Sequence, residues 1–549
     1  MSSKVRISLF ILALAYALVS IFLGGYPFRH FLPAFVFNGK LALGVLAVCV
    51  AASRGFFTRV NRDNLLEALG LLGILLVAAL LRFHDIAKSA AWGPTIDEPI
   101  LVVPVLGMLR TGNLDTGTYE YGGVWFYILL AVFMVVALRM VSTFAYKDST
   151  AIPEQAYYLA ARYAAALFSL LTVAAVYMTA RRFFGRIAAM AAGLILTLSW
   201  LSFATAHQNR LDLALALFVL LAHYFFLRIL EEPVALHYLL AGMFCGLSLG
   251  TKYTVVSIFV PLLLAHGFAL DWKRILNWNL LLALASAAAV FLLFNYYSIA
   301  HINLFLQRLS IAVYHNLTPE HWSVSQNRPL ENFGLVMTQG VGVVALIPAL
   351  MTLWQAISQR DNKLLVLWCF PLFLLALLGS YPSGFPRYLM PALPILAVLA
   401  GAGTQSLVDR LSARVAPRGR PILAAAAILA MTAIPAWKAV EYWVESGKVL
   451  KPEVVVDWIR QNVPRGAVII IDPTGPLLPS DEYKLVSLDY TEFRPRNLRD
   501  AQYICVTEDL FKKIPESFRI LKDFPARTKS LDRSIRVYGS ESPDPGAIP

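Results

Sequence analysis

Apolar runs of about twenty residues, separated by short polar or basic loops, recur from the N-terminus to about Trp437 and then stop. A helix needs ~20 apolar residues to cross hydrocarbon roughly 30 Å thick. The pattern therefore predicts an all-α polytopic membrane protein with thirteen spans, at about 5–23, 35–52, 65–83, 158–180, 187–205, 211–229, 236–251, 253–270, 277–298, 333–356, 363–380, 388–408 and 421–438. From Ala439 onward the pattern changes to that of a soluble chain. A helix is expected over Pro452–Gln461, with strands near Ala467–Ile471, Lys484–Leu488, Gln502–Val506 and Ser534–Tyr538 separated by proline-rich turns, which describes a small α/β domain. The domains expected are thus a membrane part over 1–438, with a first outer loop at 84–157, and a C-terminal part over 439–549.

Loop charge orients the spans. With the N-terminus inside, the loops carrying Arg54, Arg59 and Arg62, then Arg181, Arg182 and Arg186, then Lys273 and Arg274, then Arg360 and Lys363, then Arg410, Arg414, Arg418 and Arg420 all fall on the same side. The tail falls outside. The run Val124–Phe144 is long enough to span, but counting it would invert every later loop. It also carries Arg139, which costs about 2.5–3.5 kcal/mol at mid-bilayer, so it reads as a helix in the outer interface. The first run, Ile7–Leu23, follows Lys4 and Arg6 like a signal peptide; Gly24-Gly25-Tyr26-Pro27 after it offers no small-residue cleavage site, and it reads as a membrane anchor.

Composition agrees: 58% of residues are hydrophobic and 15% charged, below the ~25% usual in soluble domains. The excess of 47 Lys and Arg over 34 Asp and Glu sits in the short loops, which makes it a topology signal rather than a nucleic-acid footprint. Cys49, Cys245 and Cys369 lie in apolar runs and Cys505 stands alone in the tail, so no disulfide framework or cysteine metal site is indicated. No Walker loop, Rossmann fingerprint or nucleophile elbow is present, and soluble nucleotide cofactors are not implied.

Unusual polar residues collect on the outer side. Thr95-Ile96-Asp97-Glu98-Pro99 follows the span ending Leu81-Arg82-Phe83. Adjacent carboxylates there are either solvated loop charges or a proton acceptor beside a group that orients it or holds a metal. Asp212, in His207-Gln208-Asn209-Arg210-Leu211-Asp212, is a favourable acid at a helix start, a local partner of Arg210, or a second site acid. Lys252 ends a stripe of Gly242, Gly246 and Gly250 whose ordinary meaning is close helix packing; the lysine either snorkels to headgroups or faces a lipid phosphate. Arg387, in Phe385-Pro386-Arg387-Tyr388-Leu389-Met390-Pro391, is an interfacial anchor or a planar fork for phosphate. His315, His321 and Arg328 share the long outer loop from Ala300 to Asn332 without metal-ligand spacing.

Taken in order, these pieces resemble the GT-C glycosyltransferases that use polyprenyl-phosphate sugars, with the nearest likeness to bacterial aminoarabinose transferases and protein O-mannosyltransferases. The resemblance runs from about Leu65 to Pro394 and, more loosely, through the tail. It implies catalytic roles for Asp97 and Glu98, a second outer acid at Asp212, and donor-phosphate contacts from Lys252, Arg387 and Tyr388, with Arg210, Arg328 and His315 as further candidates. Its implied reaction is inverting displacement at the sugar's anomeric carbon. Asp97 acts as base on the acceptor hydroxyl, and the cations stabilise the departing lipid phosphate. Partners implied are a polyprenyl-phosphate sugar, a lipid, glycan or protein acceptor, and membrane lipids, in a bacterial inner membrane with the site and tail extracytoplasmic. Relatives differ over a divalent cation, for which Asp97, Glu98 and Asp212 would be the ligands. Tyr119-Glu120-Tyr121-Gly122-Gly123-Val124-Trp125 departs from the His-Pro-Pro-like turn of many relatives and leaves the acceptor open. The rival class is a secondary transporter or lipid flippase, which would place ionisable groups near mid-membrane and often repeat itself; a membrane scaffold is a third reading.

Overall fold

The computed structural model describes residues 62–84, 97–142, 146–149, 152–270, 277–317, 336–379, 386–413 and 419–446, then 452–471, 482–487, 502–507, 517–525 and 534–540, with single positions 86, 334, 475, 476, 478 and 514. The expected spans at 5–23 and 35–52 lie outside them. The helices in chain order are α1 (Arg62–Phe83), α2 (Glu98–Thr111), α3 (Gly123–Ser142), α4 (Glu154–Phe183), α5 (Arg186–Leu198), α6 (Trp200–Thr205), α7 (Asp212–Glu231), α8 (Ala235–Thr251), α9 (Phe259–Leu270), α10 (Trp278–Phe294), α11 (Tyr296–Ala300), α12 (Ile302–Leu317), α13 (Val343–Ser358), α14 (Asn362–Gly379), α15 (Leu393–Ser412), α16 (Arg420–Ser446) and α17 (Pro452–Asn462).

Seven helical segments among the described residues are long and apolar enough to cross a membrane: Leu65–Phe83, Gly123–Ser142, Glu154–Phe183, Asp212–Glu231, Tyr253–Leu270, Arg387–Ser412 and Arg420–Glu445. Shorter apolar helices accompany them, and several expected spans are interrupted. The span expected at 187–205 breaks at Ser199, whose extended backbone and side chain cap α6 by accepting from Ser202 N. Arg82 stabilises that break. It is fully buried, and its guanidinium donates to the α5 carbonyls of Leu196 and Thr197, to Ala78 O, and to the hydroxyls of Ser169 and Ser202. An arginine among the final carbonyls of α5 also meets the negative end of the helix dipole. The 253–270 and 388–408 spans open with tight 3-10 turns at Tyr253–Ile258 and Pro386–Ala392, and the span at 277–298 breaks at Asn295. The span expected at 333–356 opens with a π-helical turn, Val336–Val341, before α13. The loop expected from Ala300 to Asn332 begins instead with the helix α12, since Ile302–Leu317 carries enough apolar residues at helical spacing to fold. The helix α3 passes the length and composition test for a span, so those two properties alone do not distinguish it from the interfacial helix that loop charge suggests.

Glycines set the closest approaches. A Cβ at Gly242 would lie 2.0 Å from Ala283 O and one at Gly246 2.5 Å from Ala287 O, so the stripe seen in sequence packs α8 directly onto the α10 backbone.

The helices up to Ala439 form one compact unit, except for residues 97–101 and 154–159, which group with the C-terminal residues from Val440 onward as a second. In that second unit five strands, β1 (Val468–Ile471), β2 (Lys484–Ser487), β3 (Tyr503–Thr507), β4 (Phe518–Phe524) and β5 (Ile535–Ser540), make one sheet in the order β2-β1-β3-β5-β4. The pairs β1–β2 and β1–β3 are parallel, and β5 runs antiparallel to β3 and β4. Val455 and Ile459 of α17, with Val463 just beyond its end, pack in one core with Ile469, Cys505, Ile535 and Val537. The strand β4 was not expected: it is an edge strand with a register shift between Ile520 and Lys522, and its mostly exposed residues do not alternate.

Candidate active site

The helices α7 and α8 are joined by only Glu232, Pro233 and Val234, so they run antiparallel and the start of α7 lies at the same end as the finish of α8. Asp212 is the first residue of α7. Lys252 follows the last residue of α8 in extended conformation, φ −153° and ψ 124°. Lys252 Nζ donates to Asp212 Oδ1 at 2.7 Å, with 13% and 5% of the two side chains exposed. Each charge suits its place, an acid at a helix N-terminus and a cation at a C-terminus. The local Arg210–Asp212 pair open in the sequence gives way to this longer-range one; Arg210, also buried, donates from Nε to Gln208 Oε1 at 2.9 Å.

The 3-10 turn before α15 brings the other two candidates in. Lys252 Nζ sits 4.4 Å from the centroid of the Tyr388 ring, and the Arg387 guanidinium carbon is 5.7 Å from the same ring. The ring's negative face thus has two cations near it. Asp212, Lys252, Arg387 and Tyr388, separated by up to 176 residues in sequence, form one cluster at the ends of membrane-length helices.

The stretch 121–125 is sewn to the same end, and sequence reading missed its role. Gly122 N donates to Thr251 O, Gly123 N donates to Asn295 Oδ1 at 2.9 Å, and Trp125 Nε1 donates to Asn209 Oδ1 at 3.0 Å. The Tyr253 hydroxyl lies 3.2 Å from Tyr121 O. The available signal was the pair Gly122-Gly123: a Cβ at Gly122 would stand 2.0 Å from Gly250 O, and one at Gly123 1.8 Å from Phe294 O. The preceding loop carries its own polar group, with Tyr119 donating to Asp115 at 2.9 Å and His301 Nε2 3.3 Å from the same carboxylate. Burial, with Asp115 adding to it, pushes the Tyr119 hydroxyl up to about 12.

Asp97 and Glu98 belong to the second unit, and the Lys252 cluster belongs to the first. Asp97 occupies the turn before α2, and Glu98 is the helix's fully buried first residue. His315 is in the last turn of α12, and Arg328 lies outside the described residues. Among the described residues no three His, Cys, Asp or Glu side chains converge as a metal site, and the Asp212 oxygen nearest the cluster is engaged by Lys252.

Residues 140–297, which include Asp212 and Lys252, match the family model for dolichyl-phosphate-mannose-protein mannosyltransferase. The ArnT of Cupriavidus metallidurans bound to undecaprenyl phosphate superposes with TM-score 0.51 at 16% identity, covering 86% of this chain and 97% of that one. The oligosaccharyltransferase AglB of Archaeoglobus fulgidus, in complex with an inhibitory peptide and a dolichol-phosphate, superposes with TM-score 0.52 at 12% identity, covering 82% and 70%. No curated protein sequence matches. The chain has the fold of the GT-C superfamily of membrane glycosyltransferases. Within that superfamily its structural likeness extends to ArnT and AglB alike.

Proposed function

We propose that this protein is a membrane glycosyltransferase that moves a sugar from a polyprenyl-phosphate donor to an acceptor hydroxyl. The observation that carries the reading is the Lys252–Asp212 pair, flanked by Tyr388 and Arg387, where two membrane-length segments, Asp212–Glu231 and Arg387–Ser412, begin. A lipid phosphate sits at that depth with its tail in hydrocarbon, and a lysine with two N–H groups beyond the one given to Asp212 can donate to it. Asp212 holds the ammonium in place, and the Arg387 fork supplies bidentate donors. Relatives of the same fold were solved with undecaprenyl phosphate and with a dolichol-phosphate, which supports the donor class.

In the reaction the acceptor oxygen attacks the anomeric carbon while the bond to the phosphate oxygen breaks. The hydroxyl proton passes to a carboxylate base, the role that the resemblance gives Asp97, the electron pair leaves with polyprenyl phosphate, and Lys252 and Arg387 meet the charge that grows on it. Direct displacement inverts the anomeric centre. Glu98, buried beside Asp97 in sequence, orients that base. The site and the tail lie on the extracytoplasmic side of a bacterial inner membrane, in keeping with the basic loops at the other end. No step is assigned to a metal ion.

The test uses purified protein in detergent, where no membrane separates two compartments, with polyprenyl-phosphate sugars and a crude acceptor fraction. Release of polyprenyl phosphate that is lost in Asp97→Asn supports transfer. Intact donor across a broad panel, together with substrate movement in proteoliposomes, would assign the chain to the transporters instead.

A further inference from the structure

His207 opens the turn between α6 and α7 that leads to Asp212, and its buried ring lies between two carbonyl oxygens. Nδ1 is 2.8 Å from Phe203 O, within α6, and Nε2 is 2.8 Å from His84 O, just past the end of α1. A carbonyl oxygen only accepts, so both bonds form only when each nitrogen carries a hydrogen, and a ring with two N–H groups is an imidazolium. Two other histidines have neighbours that suit the neutral ring instead. His237 Nδ1 donates to Glu232 O, while its Nε2 faces the Arg228 guanidinium at 3.4 Å and must accept. His223 donates from Nδ1 to Val219 O, and its Nε2 has no partner among the described residues.

Backbone dipoles meet the charge on His207. His84 N donates to Leu80 O, so the His84 carbonyl belongs to the negative end of the 22-residue helix α1, where a cation is favoured. The other charged and titratable groups on the elements packed around α6 have their own contacts. Arg82 of α1 serves the α5–α6 break, Arg186 of α5 pairs with Glu67, Arg210 donates to Gln208, and Asp212 holds Lys252. Arg387 and Tyr388 of the 3-10 turn lie against one another. The helix α4, which meets α6 where Ser169 faces Ser202, adds Glu154, Arg162 and Tyr163; the π-helical turn adds no titratable group, and the His84 ring is the other imidazole nearby.

We propose that His207 is a positioning residue that acts as a protonation-dependent clasp: the imidazolium ties the end of α1 to α6 and fixes the turn 207–212, and the neutral ring must release one of the two carbonyls. That turn carries Asn209, which accepts from Trp125, and Asp212, which sets where Lys252 Nζ stands. The clasp follows from the geometry alone; its effect on donor phosphate rests on the transferase reading. A proton held by the folded ring stabilises the fold at low pH, and that stabilisation is lost as pH rises and the ring gives the proton to solvent.

The experiment is thermal unfolding of the full chain in detergent, from about pH 5.5 to about pH 8.5, for wild type, His207→Gln and His207→Arg. Glutamine offers N–H groups on one atom and does not titrate, whereas arginine keeps a charged fork at every pH. The wild-type midpoint should exceed that of the glutamine variant by roughly 1–3 °C at the acid end, with the gap closing as pH rises. Parallel profiles for those two proteins would overturn the clasp. If the glutamine variant does not fold, the arginine variant serves: wild type should lose stability relative to it as pH rises, and a constant difference would overturn the proposal. Imidazole nitrogen-15 spectra of histidine-labelled wild type at about pH 7, where a solvated ring is mostly neutral, should show one ring protonated on both nitrogens, and a spectrum without such a ring would also refute it. Single-turnover release of polyprenyl phosphate is then followed over the same pH range. The ratio of wild type to the glutamine variant should fall toward one as pH rises, and a constant ratio would break the link to Lys252. If no form cleaves the donor, the transferase reading fails while the unfolding profiles still decide the clasp, so the two failures are distinguishable.

Discussion

Arg82 is fully buried and donates five hydrogen bonds, and Arg82→Leu shows how much the broken α5–α6 helix depends on it. Five N–H donors meet five acceptors at 2.8–3.2 Å with the residue fully buried. Removing the guanidinium does not orphan all five. Ala78 O keeps its place in α1, and Ser169 and Ser202, already 3.3 Å apart, can bond each other. The carbonyls of Leu196 and Thr197, at the unpaired end of α5, remain. Two buried acceptors left unsatisfied cost ~1–3 kcal/mol each, hence roughly 2–6 kcal/mol together. Part is recovered because a buried charge no longer has to be desolvated, which leaves a net loss on the order of 2–4 kcal/mol. Arg82→Lys keeps the charge but not the fork, and should fall between wild type and leucine. Thermal unfolding in detergent, followed by tryptophan fluorescence or exposure of buried cysteine to a thiol dye, measures the order. A leucine variant as stable as wild type would mean that α5 ends without the arginine, and the account of the break would fail.

Other outcomes follow from the same geometry. Gly242→Val forces a Cβ to within 2.0 Å of Ala283 O, so it should separate α8 from α10, lower thermal stability by about 1–3 kcal/mol or more and depress turnover through Lys252; normal activity and stability would refute the packing role. Because the Tyr119 hydroxyl is raised in the fold, its contribution to stability is complete below its ordinary value near 10 and lost as pH climbs to about 12. Wild type should therefore lose stability relative to Tyr119→Phe across that window, and parallel pH profiles would contradict it. For topology, a cysteine at exposed Asn113 should react with an impermeant maleimide in intact cells and one at exposed Gln359 only after permeabilisation; the reverse would overturn the orientation.

Much of this architecture is legible in sequence because its causes are local. Apolar runs of membrane length and the glycine stripe at 242, 246 and 250 each predict what the helices do, and the tail's β-branched stretches announce β1, β2, β3 and β5. What escapes is what tertiary partners decide. The residues around Ser199 read as one uninterrupted span, and the break there depends on an arginine more than a hundred residues away. The edge strand β4 has no buried face to impose alternation. At the candidate site the residue types of Asp212, Lys252, Arg387 and Tyr388 stand out, yet their pairing does not: the sequence leaves Asp212 a helix-start acid, a local partner of Arg210 or a second site acid, while the antiparallel α7–α8 pair delivers Lys252. Asn209 and Asn295 look like ordinary polar residues until Trp125 and Gly123 are seen to donate to them.

The central claim is that Lys252 holds the phosphate of a lipid-linked sugar and stabilises it as it leaves. The direct measurement is single-turnover release of polyprenyl phosphate by purified wild type, Lys252→Ala and Asp212→Asn, with donor affinity determined in parallel. Lys252→Ala should weaken donor binding and slow the chemical step as well, by about 10²-fold or more, because the phosphate gains charge in the transition state. Asp212→Asn, which only loosens the lysine's placement, should lose less. Unchanged single-turnover release in Lys252→Ala, in protein that is folded and membrane-extracted like wild type, would contradict the account.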